Sequence, residues 1–305
     1  MQRFDGRSSS QIPFLNCTGM GMSASRLAAQ TLRALPRKRL SRALGGLAAS
    51  RAPQLLVDAA VAAFVRAYDV DLSEVDVPSG GFRTFDDFFT RRLLEGSRQV
   101  NPDPGALVSP ADGRIEDLGE ISATGELIVK GQPYTAEALL GDSAAAREYE
   151  GGHYFIVYLS PRDYHRVHAP TCGSVQCMRY VPGTLVPVNR IGTEFIPQLF
   201  ARNERLAIVQ ESVVHGIVTT IMVGAIGVGR IGVSFDDVQT NRGDTPGLRS
   251  YADSPIPCDR GDELGVFHMG STAIVMTPPA CDLEVVAKAG SSIRMGEAMA
   301  KGEKR

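Results

Sequence analysis

Three runs in the second half of the chain constrain its fold most: Tyr154-Phe155-Ile156-Val157-Tyr158-Leu159, Leu206-Ala207-Ile208-Val209-Gln210 and Ile217-Val218-Thr219-Thr220-Ile221-Met222-Val223. Each is short and β-branched or apolar, with Gly and Pro between them, a spacing that predicts an antiparallel β-sandwich or barrel. Gly224, Gly227, Gly229 and Gly232 fall within strand-like sequence, where they favour bulges and sharp bends. Gly227-Val228-Gly229 is no phosphate cradle, because no helix pattern and no Lys-Ser/Thr follow it. Asn101-Pro102-Asp103-Pro104-Gly105 marks where this texture begins, so residues 99–305 read as one β-rich domain.

The N-terminal part reads as helical, which makes the chain α+β. Residues 1–25 are Ser- and Gly-bearing with no apolar block, a leader rather than a secretory signal. An organellar transit peptide stays open, as do starts at Met20 or Met22. From Arg26 to Arg51 the charge is basic without an acid, and Leu27, Leu32, Leu35, Leu40 and Leu44 recur at roughly helical spacing, broken at Pro36. Leu55 to Val65 is apolar apart from Asp58, about half of the ~20 residues a membrane span needs. Residues 26–98 thus suit a helical region lying on an anionic membrane surface. A helical hairpin packed on the protein, with a solvated basic face, fits the same residues. Thr84 is placed to cap a further helix that puts Phe85, Phe88 and Phe89 on one face. Five cysteines without a CxxC pair argue against a disulfide framework and for a reducing compartment. The net charge of −2 selects no partner.

Three motifs carry chemistry. Gly270-Ser271-Thr272 lies between two apolar runs; a serine after glycine can attack the preceding carbonyl, although most such tripeptides are turns. Ser109-Pro110-Ala111-Asp112-Gly113 sets a carboxylate in a tight turn between strands. Ser160-Pro161-Arg162-Asp163-Tyr164-His165-Arg166-Val167-His168-Ala169-Pro170 brings two of the five histidines within four residues. Pro170 discourages a helix there, so the two imidazoles can diverge and serve different tasks. His153 and His215 read as structural.

Together these motifs resemble the phosphatidylserine decarboxylase family, whose members process themselves and use a pyruvoyl group. The resemblance runs in order from about residue 40 to 277. It takes in Thr84 to Leu94, Val129 to Thr135, Tyr180 to Asn189, Asn203-Glu204-Arg205 and Leu264 to Thr272 as well as the histidine and aspartate motifs. It implies that Asp112, His168 and Ser271 form a self-cleavage triad acting between Gly270 and Ser271. The products would be a β chain of residues 1–270 and an α chain of residues 271–305, with the pyruvoyl group at position 271. That group would form a Schiff base with phosphatidylserine, releasing CO2 and phosphatidylethanolamine, with His165 returning the proton. Another amino acid or phospholipid-serine analogue is the alternative substrate. The implied partners are an anionic phospholipid membrane and the two chains of one precursor. A homodimer is compatible with the resemblance, while a nucleic acid or a resident metal is not implied. The expected location is the cytosolic face of a bacterial cell membrane, or else the mitochondrial inner membrane. A zinc hydrolase using Asp112, His165 and His168 would leave Ser271 idle, and a non-catalytic adaptor would leave all of these residues idle. His268 departs from the bulky apolar residue more common in the family two before the cleavage glycine; it is expected to face solvent, with assisting or interfering with cleavage as the alternatives.

Overall fold

The computed structural model describes residues 37–188, 190–225, 230–241, 247–268, 271–279 and 283–302. The three β-branched runs lie within one nine-stranded sheet, whose pairings are all antiparallel. Across the sheet the order is Gly247–Ser250, Gly173–Val181, Arg205–Ser212, Gly216–Val223, Ser271–Thr277, His153–Leu159, Gly113–Glu120 and Ser292–Ile293, with Ile256–Cys258 also pairing to Gly173–Val181. The middle strand, Ser271–Thr277, is buried at all seven positions. Burial on both faces removes the need for alternating polar residues, which explains the continuous apolar run.

Smaller antiparallel sheets accompany it. One joins Ala106–Val108, Ala298–Gly302 and Leu283–Val285, a second Ile231–Val233, Glu263–Phe267 and Arg166–His168, and a third Glu126–Val129 with Gln132–Thr135. The class is α+β, with mainly antiparallel sheets and few helices. The expected barrel does not close among the described residues. One end strand of the main sheet, Gly247–Ser250, is exposed throughout, and the other, Ser292–Ile293, has two residues. Neither presents an apolar edge long enough to seal against the other.

Gly224 and Gly232 mark no bulge, while Gly227 and Gly229 lie outside the described residues. The register shifts fall instead at Leu107/Val108, Ile115/Asp117, Val175/Cys177 and Glu263/Gly265. Gly265 has a packing reason: a Cβ there would stand 2.4 Å from the Gly232 carbonyl oxygen across the ladder.

Among the described residues three helices precede the sheets. Helix α1 (Arg37–Ala48) starts directly after Pro36, and α2 (Gln54–Tyr68) follows Pro53. Helix α3 (Phe85–Phe89) is capped as expected, Thr84 Oγ1 accepting from the Asp87 N–H at 3.0 Å. Phe64 of α2 meets the rings of Phe85, Phe88 and Phe89 at centroid separations of 5.2, 5.8 and 6.0 Å. Away from that contact, Leu47, Leu55 and Leu56 are 72%, 79% and 60% exposed. Among the described residues no helix is long and apolar enough to cross a membrane. The basic stretch before Arg37 and the leader lie outside the described residues.

Candidate active site

The site forms where two chain segments pass together from the small sheet to the large one. One leaves His153–Leu159, turns through residues 160–165 and enters Arg166–His168; the other leaves Glu263–Phe267 and enters Ser271–Thr277. Ser271 pairs with Leu159 at one end, Val266 with Arg166 at the other, and the Phe267 N–H donates to the His165 carbonyl at 3.0 Å between them. Asp163 closes the turn by accepting from the Ser160 N–H at 2.7 Å. His165 and Ser271 therefore sit on adjoining segments of one crossover. Gly270, the other half of the expected cleavage junction, lies outside the described residues.

Ser271 is fully buried, and among the described residues its Oγ has no hydrogen-bond partner. Thr272 and Thr277 on the same strand share that property, but only Ser271 follows a glycine. His165 is equally enclosed. Its Nδ1 donates to the Asp163 carbonyl at 2.8 Å, its ring lies 4.1 Å from that of Phe89, and its Nε2 is buried without a partner. Burial, with the Arg91 cation adding to it, brings the imidazole pKa down to about 3. It is thus neutral at physiological pH, with an unsatisfied lone pair on Nε2.

His168 is held differently. Its Nδ1 lies 2.8 Å from the Gly261 carbonyl, which can only accept, so Nδ1 carries the proton. Nε2 is then the acceptor, 3.1 Å from the Tyr164 hydroxyl. Burial lowers its pKa, opposed by the bond to Gly261 and by the charges of Glu263 and Asp112. The result is a neutral imidazole in the tautomer a general base needs.

No hydrogen bond joins Asp112 to His168. Asp112 is tied to His168 through the backbone, the His168 N–H donating to the Pro110 carbonyl at 2.7 Å. Its carboxylate accepts from Arg98 Nε at 2.8 and 3.1 Å, from Arg98 Nη2, and from the Met295 N–H at 2.9 Å. Arg98 also donates to Glu74 at 2.7 Å. Burial works against the charge on Arg98, but the bonds to Asp112 and Glu74 outweigh it and raise its pKa. Beside this pair opens a cavity of about 510 Å³, whose lining includes Asp112, Tyr164, Arg91, Arg98 and Arg294. Ser271 and His165 are not among its lining residues.

The remaining histidines divide. His215 is structural, bonded to Thr171 Oγ1 at 2.7 Å and to the Gly105 carbonyl at 3.1 Å, and His153 begins a strand of the main sheet. His268 does not face solvent as expected. It is 14% exposed at the side chain, and its Nδ1 lies 2.9 Å from both carboxylate oxygens of Asp86. A buried acid on a neighbouring helix, invisible from the local sequence, draws the ring inward. Among the described residues no cluster of three His, Cys, Asp or Glu is arranged to hold a metal.

The family profile described as phosphatidylserine decarboxylase matches residues 85–301, from the first residue of α3 to the last sheet strand. The chain belongs to the phosphatidylserine decarboxylase family. Members of this carboxy-lyase family that resemble the chain include the phosphatidylserine decarboxylase proenzyme of Anaeromyxobacter sp. (strain K), 42% identical over 89% of this chain and 97% of the relative. The proenzyme of Psychrobacter arcticus is 39% identical over 88% and 96%, and that of Acinetobacter baumannii 39% over 87% and 92%. The matched region includes Asp112, His165, His168 and Ser271.

Sequence reasoning did not anticipate Arg98, Glu74, Arg91 or Asp86. Arg98 is the last residue of the expected helical region, 14 residues from the carboxylate it binds, and no local pattern marks the pair. Asp86 and Arg91 were visible only as polar positions of the capped, Phe-rich helix. Their partners lie 182 and 71 residues away.

Proposed function

We propose that this chain is a self-processing enzyme that converts phosphatidylserine to phosphatidylethanolamine and CO2, using a pyruvoyl group made from Ser271. What carries the reading is one position: in a chain of this family, Ser271, which follows a glycine in the sequence, is the first residue of the central, fully buried strand. Relatives named proenzymes support a two-chain product of residues 1–270 and 271–305. The site fits such a group. Ser271 Oγ is unpartnered, and pairing to Leu159 holds the residue in place on either side of a cut.

In this reading Ser271 Oγ attacks the Gly270 carbonyl carbon, and the acyl group passes from nitrogen to oxygen. Loss of the Ser271 Cα proton then expels the Gly270 carboxylate, and water releases the nitrogen as ammonia, leaving a ketone. His168 is the base, through the Nε2 lone pair that faces Tyr164. Asp112 favours its cationic form by charge rather than by a direct bond. A pyruvoyl group at position 271, held by the pairing to Leu159, would supply a carbonyl for the substrate amine and an electron sink for decarboxylation. His165 must first take up a proton from solvent at the open Nε2, which an anionic substrate beside it would favour by raising its proton affinity, and then hands that proton to the substrate carbon. The unpartnered Nε2 of His165 also favours a second reading, in which His165 is the base for Ser271 and His168 the later proton donor.

The domain scheme follows: a leader of residues 1–25, a membrane-facing helical region of 26–98 and a catalytic domain of 99–305. Exposed Leu47, Leu55 and Leu56 support contact with an anionic phospholipid surface. We assign the protein to the cytosolic face of a bacterial cell membrane, in keeping with the bacterial sources of its relatives. The mitochondrial inner membrane is the alternative. The deciding experiment is the intact mass of the denatured protein. Two chains split before position 271, the smaller blocked by a pyruvoyl group, are expected; a single chain with unmodified Ser271 would overturn the reading.

A further inference from the structure

The short segment from Asp86 to Arg91, in and just after α3, touches both walls of the crossover that holds Ser271. Asp86 bonds His268, and the ring of Phe89 lies on His165. The Thr90 carbonyl accepts from Arg166 Nε at 3.0 Å, while Arg91 Nη2 donates to the carbonyls of Arg162 and Asp163 at 2.7 and 3.0 Å. Four residues of a nominally N-terminal, membrane-facing region are thus built into the site.

Asp86 occupies the decisive place among them. It is 8% exposed, and its carboxylate accepts from both His268 Nδ1 and, at 2.8 Å, Arg230 Nη2. Arg230 lies 3.0 Å from the same imidazole nitrogen. The carboxylate is the one acceptor in this trio, so Nδ1 of His268 carries a proton. The backbone of the same residue is also fixed, the His268 N–H donating to the Arg230 carbonyl at 3.0 Å. With the Phe267 N–H bound to the His165 carbonyl, the strand entering Gly270 is held at successive residues from two sides.

We propose that Asp86 is a positioning residue for self-cleavage: through His268 and Arg230 it fixes the strand whose Gly270 carbonyl Ser271 attacks. The inference rests on the self-processing reading above. An intramolecular attack needs the hydroxyl oxygen and the carbonyl carbon in one geometry, and a displacement of about 1 Å can cost about 10²-fold in rate. Asp86 touches no reacting atom, so its effect passes through the placement of His268.

The test is the rate at which full-length chain, made in a pulse of cell-free translation, converts to two chains. Wild type and Ser271→Ala report on the self-processing reading itself: if wild type does not split, that reading fails, whatever Asp86 does. With wild type splitting, Asp86→Ala and His268→Leu should slow conversion about 10²-fold. His268→Asn, whose side-chain N–H can take the place of Nδ1, should stay within about tenfold of wild type at a similar melting temperature. Damage to the fold alone would not separate Asn from Leu at position 268. Conversion of Asp86→Ala at the wild-type rate, or equal slowing by the Asn and Leu variants, overturns the proposal. Should Asp86→Ala be insoluble, the two His268 variants decide by themselves.

Discussion

Replacing Arg98 by Met removes a charge from the Asp112 pair while keeping most of the stem. Asp112 is then left, among the described residues, with the Met295 N–H as its one remaining partner, and Glu74 keeps Arg294 at 3.1 Å. The Arg98 and Asp112 side chains are 9% and 12% exposed, so water can do little to replace the lost cation. Removing one partner of a buried pair costs about 3–5 kcal/mol, and the lower end suits a site next to an open cavity. Asp112→Asn leaves Arg98 its bond to Glu74 and should cost less, about 1–3 kcal/mol. In the double variant neither charge is stranded, so its cost should fall short of the sum of the singles by about 1–3 kcal/mol. Urea unfolding followed by far-UV circular dichroism would measure this, in a Ser271→Ala background where one chain is expected to persist. With a slope near 3 kcal/mol/M, Arg98→Met should lower the midpoint by about 1 M. A loss under about 1 kcal/mol, or singles that add to within about 0.5 kcal/mol, would refute the claim that the pair is buried and mutually dependent.

The other predictions concern processing, pH and lipid. Ser271→Ala, His168→Ala and Asp112→Asn should each remain full length on a denaturing gel, while His165→Ala should split yet lose about 10²–10⁴-fold in CO2 release. A His165→Ala chain that fails to split beside a His168→Ala chain that does would exchange the two roles. His165 titrates near 3 in the folded protein against about 6.5 when exposed, so the unfolded chain binds the proton first. Folded stability therefore falls as pH drops below about 6.5, by about 1.4 kcal/mol per unit until the folded pKa is reached. In urea titrations His165→Phe should flatten that decline by about 2 kcal/mol between pH 6.5 and 5, and an unchanged slope counts against the burial argument. Changing Leu55 and Leu56 to Ser should weaken binding to anionic vesicles by about 100-fold or more, since each buried leucine contributes about 1.5–3 kcal/mol. Undiminished sedimentation with the vesicles would remove α2 from the membrane contact.

What the sequence disclosed depended on how local the cause was. The strand runs at Tyr154, Leu206 and Ile217 were legible because burial on both faces writes itself as uninterrupted apolar sequence. Thr84 and α3 were legible because a cap and its helix are four residues of hydrogen-bond geometry. The open sheet was not legible, because closure depends on whether Gly247–Ser250 and Ser292–Ile293 can meet, which neither segment encodes alone. Asp112, His165, His168 and Ser271 stood out through residue type and setting. Their partners did not, since Arg98, Tyr164 and Gly261 are selected by where the chain folds back. His268 shows the limit most clearly: nothing beside it in the sequence opposed a solvent-facing ring, and an acid 182 residues earlier turned it inward.

The position of the Ser271–Thr277 strand bears on the lifetime of the processed protein. It lies between Gly216–Val223 and His153–Leu159, hydrogen-bonded on both edges and covered on both faces. A cut before Ser271 would make the smaller fragment the keystone of the sheet, unable to leave without dismantling the strands beside it. Maturation would then be a one-way trade. The uncut precursor refolds as a single chain, whereas the cut protein, once denatured, must find its missing strand by bimolecular encounter. Recovery from denaturant would depend on concentration after the cut and be independent of it before.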